Sequence, residues 1–149
     1  PDKPAFREPF QRRRCLVPAD GFYEWRKAGK AKLPVRFTRA DGSLFAFAGL
    51  WDEWKSAEGE VVRSFTVLTT EANALVATVH DRMPVILTEA GEDAWLDPGA
   101  KTADLRPLLV PFDAAGMRAD PASTRVNAPR NDDPSLLVPD EPLQPELGL

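Results

Sequence analysis

Four groups of residues in this sequence carry side chains that can do chemistry. The first is Phe22-Tyr23-Glu24-Trp25, where a carboxyl stands among aromatic residues. In an extended strand residues two apart share a face, so Glu24 lies on the face of Phe22 beside apolar neighbours. A carboxyl in an apolar wall protonates more readily than in water, which suits general acid or base work near neutral pH. The other reading is a solvent-exposed glutamate on an edge strand, and these residues alone leave both open. The second group is His80-Asp81-Arg82-Met83-Pro84, which holds the single histidine of the chain. An imidazole exchanges its proton near neutrality, although a lone histidine also serves structural ends. With no second histidine or cysteine beside it, His80 is a poor metal ligand, and no metal is expected. The third group is Thr69-Thr70 with Asn73 following. Hydroxyls and amides there can hold a phosphate, or simply cap a helix. The fourth is Trp25, Trp51 and Trp54, which can stack on bases or fill a core.

These groups sit in a chain of 149 residues, of which 43% are hydrophobic and 28% charged. Those values fit one domain with its own core, spanning 1–149. No apolar run approaches the roughly 20 residues that cross a bilayer, so no membrane is expected. Residues 1–10 show neither an initiator methionine nor a signal-peptide pattern, and the sequence reads as starting mid-chain. The single cysteine, Cys15, allows no internal disulfide, which makes the reducing cytoplasm the expected compartment. Cys15 itself reads as a core thiol inside a strand. The net charge of −4 conceals a gradient. Residues 1–39 carry 11 Lys and Arg against 4 Asp and Glu, whereas residues 120–149 carry 2 Arg against 6 acids. A basic head is compatible with nucleic acid and equally with a solvated face. No phosphate-cradling glycine loop, serine elbow or paired metal spacing is present, so nucleotide hydrolases and serine hydrolases lose their usual signatures.

The elements that must position these groups are mainly strands. Arg14-Cys15-Leu16-Val17 and Gly21-Phe22-Tyr23-Glu24-Trp25 read as strands meeting at the turn Pro18-Ala19-Asp20-Gly21. Val35-Arg36-Phe37-Thr38 alternates apolar and polar, Asp41-Gly42 predicts a hairpin turn, and 44–51 returns as a buried strand. Residues 60–69 give a further strand. The alanine-containing stretch 71–79 predicts a short helix, broken before Pro84. Val85-Ile86-Leu87 follows as a strand, then a helix capped by Thr88 and running to about Leu96, then a second short helix near Thr102. Of the 15 prolines, 9 lie between Pro98 and Pro145, which predicts turns and extended chain there and a Pro-rich acidic tail over about 128–149. The sum is an α+β domain dominated by antiparallel strands, in a partly closed, barrel-like arrangement.

Taken in order, the stretches 12–25, 47–51, 69–73 and 80–87 resemble the SRAP family (SOS response-associated peptidase), whose members shield abasic sites in single-stranded DNA. The resemblance runs from about Pro4 to Arg125-Val126-Asn127 and rests above all on 18–25 and 80–87. It implies a DNA-repair enzyme that crosslinks covalently to the abasic sugar through an N-terminal cysteine. The α-amine, with a pKa of about 8, forms a Schiff base with the sugar aldehyde, and the adjacent thiol closes a thiazolidine. By resemblance Glu24 assists sugar ring opening and proton transfer. His80 protonates the sugar oxygen and helps reverse the crosslink. Arg82, Thr69 and Thr70 fall where the family holds phosphates, with Trp25 at the edge of the same site. Autoproteolytic activity is also implied. The expected partner is single-stranded DNA containing abasic sites, with no cofactor, at the nucleoid, and the protein is expected to act as a monomer.

The sequence departs from the family in one respect. The nucleophilic cysteine and the asparagine of its NAR-type stretch are expected upstream of Pro1, and Cys15 has no free α-amine with which to replace them. Without that segment, strands are expected to be missing and apolar sheet edges exposed. The alternative function is a non-catalytic single-stranded DNA-binding module. A thiol peptidase pairing Cys15 with His80 is disfavoured by the strand context of Cys15.

Overall fold

A computed structural model describes residues 4–140. The chain runs α1 (Pro4–Arg12), β1 (Arg14–Ala19), β2 (Phe22–Ala28), β3 (Ala31–Arg39), β4 (Phe45–Lys55), β5 (Val61–Val67), β6 (Thr69–Glu71), β7 (Arg82–Pro84), α2 (Glu89–Leu96), α3 (Thr102–Leu105) and β8 (Met117–Pro121), with short 3-10 turns between and after them. The class is the α+β, mostly antiparallel one expected. Its strands form sheets ordered β1-β4-β5, β2-β3-β8 and β6-β7, which do not close into a ring.

The Asp41-Gly42 hairpin is a correction. The turn exists, with Gly42 at φ +73° and its amide donating to the Arg39 carbonyl at 3.1 Å. Yet β3 and β4 never pair, because the turn passes the chain from one sheet to another. The same holds for β1 and β2. Both crossings place apolar faces opposite one another instead of joining backbones. Phe22, Val35 and Phe37 from one sheet thereby share a cluster with Phe45 and Phe47 from the other. Burial of aromatic surface, worth about 25 cal/mol per Å², fixes this arrangement.

The central strand β4 separates two cores. Phe45 and Phe47 face the first, while Ala48 and Leu50 join Phe10, Val85, Leu87, Trp95 and Leu105 in a second core under the helices. Beyond Leu50 the strand leaves the body, and Trp51, Trp54, Val61 and Phe65 are exposed on the β4–β5 arm. Residues 60–69 are therefore not one strand. At Leu68 the chain leaves β5, with the Leu68 amide donating to Ala48 O at 2.9 Å and Val85 N donating to Leu68 O at 2.9 Å. Residues 85–87 then hydrogen-bond to β4 at Ala46 and Ala48, with an isolated bridge at Ile86, while the regular strand lies earlier, at Arg82–Pro84.

The helix expected over 71–79 is replaced by β6 and one 3-10 turn, Val76–Thr78. The Asn73 side chain accepts from the amides of Leu75 and Val76, which turns the chain before a longer helix can form. The helix capped by Thr88 is present, with Gly91 N donating to Thr88 Oγ1 at 3.1 Å. α1 was not foreseen, because Pro9 stands inside it. Arg14 secures its end. The guanidinium donates to the carbonyls of Phe10 and Gln11 at the end of α1 and to those of Trp95 and Asp97 at the end of α2. In the Pro-rich region β8 adds to β3, and the 3-10 turn Pro134–Leu137 buries Leu136. The last part of the expected tail, 141–149, lies outside the described residues.

Candidate active site and nucleic-acid interface

Glu24 lies on β2, the edge strand of its sheet, opposite Val35 on β3. Alternation puts it on the inward face with Phe22, whose ring stacks on Phe37 at 5.2 Å and meets Phe47 edge-on at 6.0 Å. Glu24 is half-buried, and its carboxylate has no hydrogen bond or ion pair with any described residue. It thus combines both sequence readings, an edge-strand position with an inward face. A carboxylate with no internal donor is free to exchange a proton with a bound molecule. The close approach that starts β2 depends on Gly21. A Cβ there would stand 2.8 Å from Phe37 O.

Trp25 points to the opposite face. It is 37% exposed, and its indole N–H donates to Asn127 Oδ1 at 2.6 Å. The Asn127 amide in turn donates to Lys32 O at 3.2 Å. Asn127 is held by the 3-10 turn Thr124–Asn127, which Asp140 anchors by accepting from Ser123 Oγ, Thr124 N and Thr124 Oγ1. This bracing of Trp25 was not visible in sequence, where Trp25 and Asn127 are separated by 102 positions.

The second half of the site is built on β6 and β7. Arg82 Nη2 donates to Thr69 O at 2.7 Å and to Thr69 Oγ1 at 2.8 Å. The Arg82 amide donates to His80 Nδ1 at 3.0 Å. Nδ1 also stands 3.2 Å from Arg82 O and 3.3 Å from Asp81 Oδ1, so it accepts from the Arg82 amide in one tautomer and donates to these oxygens in the other, while Nε2 has no partner among the described residues. His80, Arg82 and Thr69 are exposed and form one polar group. Thr70 is turned away from them. Its hydroxyl donates to Leu109 O at 3.2 Å, and its cross-strand partner is the buried Met83.

Asn73 has a role that its sequence context did not reveal. It is buried, its Nδ2 donates to Phe112 O at 2.7 Å, and its Oδ1 holds the turn that ends at His80. The His80 amide closes that turn on Val76 O at 3.0 Å. The two halves of the site border one hydrophobic cluster, with Phe22 and Val35 beside Glu24, and Val76, Val79 and Met83 beside His80. No direct hydrogen bond joins Glu24 or Trp25 to His80, Arg82 or Thr69.

Cys15 sits at the rim of a groove with Val17, Trp51 and Phe65, half-buried and outside both cores. Burial pushes its thiol up, which disfavours the thiolate that a nucleophile needs. Trp51 and Trp54 lie on the β4–β5 arm, where Arg13 stands over Trp51 at 5.6 Å. Among the described residues no cluster of His, Cys, Asp or Glu can hold a metal, and no helix is long and apolar enough to cross a membrane.

The family model described as "SOS response associated peptidase (SRAP)" matches residues 1–129. The chain is 45% identical over 138 residues to abasic site processing protein YoqW of Bacillus subtilis, covering 91% of this chain and 62% of that protein. It is 35% identical to abasic site processing protein HMCES of Xenopus tropicalis, covering 87% of this chain and 44% of the relative. A crystal structure of a protein from Bacteroides thetaiotaomicron superposes with a TM-score of 0.86 at 34% identity, covering 93% of this chain and 62% of the other. The chain therefore spans about three-fifths of the length of these bacterial relatives.

Proposed function

This chain belongs to the SOS response associated peptidase (SRAP) family, and from that membership we propose that it supplies the acid–base part of a protein that crosslinks to abasic sites in single-stranded DNA. The observation that carries this reading is the 45% identity, over 91% of the chain, to a relative named an abasic site processing protein. An N-terminal cysteine from outside this sequence is the nucleophile. Its amine adds to the C1′ aldehyde of the opened sugar, water leaves to give a Schiff base, and the thiol adds across the C=N bond to close the thiazolidine. Glu24 moves protons in ring opening and in the loss of water, a role supported by its inward face and its lack of an internal partner. His80 presents Nε2–H to the sugar oxygen and takes part in reversal. Arg82 and Thr69 hold a phosphate next to the sugar, Thr70 supports their strand, and Trp25 borders the DNA. The associated peptidase activity removes residues ahead of the cysteine. The protein acts as a monomer at the nucleoid.

A version extended to carry the N-terminal cysteine tests this reading on abasic single-stranded oligonucleotide, scored as heat-stable adduct on a denaturing gel. Glu24→Ala is expected to slow crosslinking by about 10²–10⁴-fold, the range of general acid–base catalysis, and His80→Ala to slow crosslinking or reversal. Unchanged rates in both variants overturn the assignments. The second reading is a non-catalytic binding module, in keeping with the single cysteine of this sequence, Cys15, being a burial-raised thiol inside β1. Under it, even the version extended to carry the N-terminal cysteine binds the oligonucleotide without forming an adduct. An adduct that is lost on Cys15→Ala contradicts both readings.

A further inference from the structure

Across most of this molecule the arginines that make ion pairs do so with a nearby acid. Arg13 pairs with Glu8 and Asp52, Arg36 with Asp20, Arg39 with Asp41, Arg63 with Glu53, Arg118 with Asp120 and Arg125 with Asp133. Exposed cations such as Arg12, Lys55 and Lys101 make no ion pair with a described residue either, but among the described strand pairings two cations stand directly opposite one another only in the hairpin between β2 and β3. Arg26, Lys27, Lys30 and Lys32 are all exposed, and none makes an ion pair with a described residue. Lys27 and Lys32 are moreover direct cross-strand partners. Like charges placed opposite one another destabilise an antiparallel pair, so the isolated hairpin carries repulsion that a bound polyanion relieves.

The side chains beside this pair are suited to one kind of polyanion. By alternation Trp25 and Lys27 share a face, and across the ladder Lys32 and Pro34 complete it. Trp25 is held by Asn127, which also hydrogen-bonds to the Lys32 carbonyl, so the aromatic ring and the root of the basic strand share one brace. An exposed, oriented ring followed by cations is the pattern of a single-strand track, with a base stacking on the ring and phosphates meeting the cations. Four residue-to-residue steps lead from Trp25 to the tip at Gly29, a reach of about 13 Å, or roughly four stacked nucleotides.

Resting on the DNA reading above, we infer that the β2–β3 hairpin is a second DNA contact that follows the single strand away from the abasic site, with Lys27 and Lys32 as its phosphate-binding pair. The contact is independent of sequence and of the lesion, and it extends the footprint on the Trp25 side. It gives the basic head of the chain a definite place of action, although the net charge is negative.

Fluorescence anisotropy with a labelled oligothymidylate, and with the same oligonucleotide carrying one abasic site, tests this on residues 1–149 and on Lys27→Gln/Lys32→Gln. Loss of two phosphate contacts lowers the slope of log affinity against log salt by about 1.4 for single strands, so between 50 and 200 mM salt the wild type loses about sevenfold more affinity than the variant. That result is expected on both oligonucleotides, with a melting temperature no lower than wild type. An unchanged slope overturns the hairpin contact. If Arg82→Gln still weakens binding in that case, the abasic-site reading survives the loss. A lowered slope in the hairpin variant, with no effect of Arg82→Gln and no preference for the abasic oligonucleotide, upholds the hairpin and defeats the site reading. Polyglutamate that displaces DNA from wild type at equal charge concentration marks the hairpin as an acidic-peptide surface and overturns the proposal.

Discussion

On β2, contacts between carbon atoms set the position of Glu24. Phe22 stacks on Phe37, Val35 lies opposite, and the carboxylate itself is tied to no described residue. Across the same cluster, hydrogen bonds set His80 and Arg82, through the Asn73 side chain, the closed turn at Val76 and the Arg82–Thr69 contacts. A group held by packing keeps its geometry while its own proton-exchanging atoms stay uncommitted. A group held by hydrogen bonds is aimed by its partners, and one ring nitrogen of His80 is already occupied. That division suits one residue to moving protons in both directions and the other to donating from a fixed direction.

If packing holds the Glu24 side, Phe37→Ala has the largest effect on stability. Deleting a fully buried aromatic ring costs about 3–5 kcal/mol, read as a lower urea midpoint. A loss below about 1 kcal/mol would break the comparison. On the hydrogen-bonded side, Asn73→Ala is expected to cost about 2–3 kcal/mol, since it leaves Phe112 O and the amide of buried Val76 without their partner. Hydrogen exchange gives the sharper test. The His80 amide should lose protection while amides of β2 keep theirs, and equal loss in both places would merge the two sides into one unit. The smallest effect concerns the bracing of Trp25. The Asp140 carboxyl lies below its usual value because the hydroxyl and amide of Thr124 and the hydroxyl of Ser123 donate to it. A depressed folded value stabilises above the unfolded pKa of about 3.9 and is lost as pH falls through the lower folded value. The Trp25 indole N–H resonance should therefore shift as acid releases the Thr124–Asn127 turn, and Asp140→Asn should remove that acid response. An indole signal indifferent to acid in the wild-type chain removes Asp140 from the brace.

Local features were legible because they depend on near neighbours. The Thr88 cap, the runs of β-branched and aromatic residues, and the shared face of Phe22 and Glu24 all follow from spacing of a few residues. Strand partners were not legible in the same way. Asp41-Gly42 has the chemistry of a hairpin turn, and Gly42 adopts the left-handed conformation such a turn uses, but the partner of β4 is decided by what Phe45 and Phe47 bury against. Asn73 looked like a cap or a phosphate ligand because the amides of Leu75 and Val76, which donate to its Oδ1, are close in sequence, while Phe112, whose carbonyl accepts from its Nδ2, is 39 positions away. α1 was hidden by Pro9 and β8 by the surrounding prolines. The candidate site was assembled from an ordered string of motifs, and the fold adds which of their side chains point together. Thr69 and Arg82 do, whereas Thr70 points elsewhere.

The sheet that carries Glu24 has a consequence for the order in which the protein is made. Its strands β2 and β3 end by Arg39, but β8, which pairs along β3, begins only at Met117. At roughly 5–20 residues per second, a ribosome takes about 4–16 s to deliver that strand. During this interval the hairpin bearing Glu24, Trp25 and the unpaired cations exists with one edge of β3 open, while β1, β4 and β5 are already available to one another. The strand that carries Glu24 is thus made early and secured late, because closing β8 onto β3 spans the longest loop of any strand pairing among the described residues.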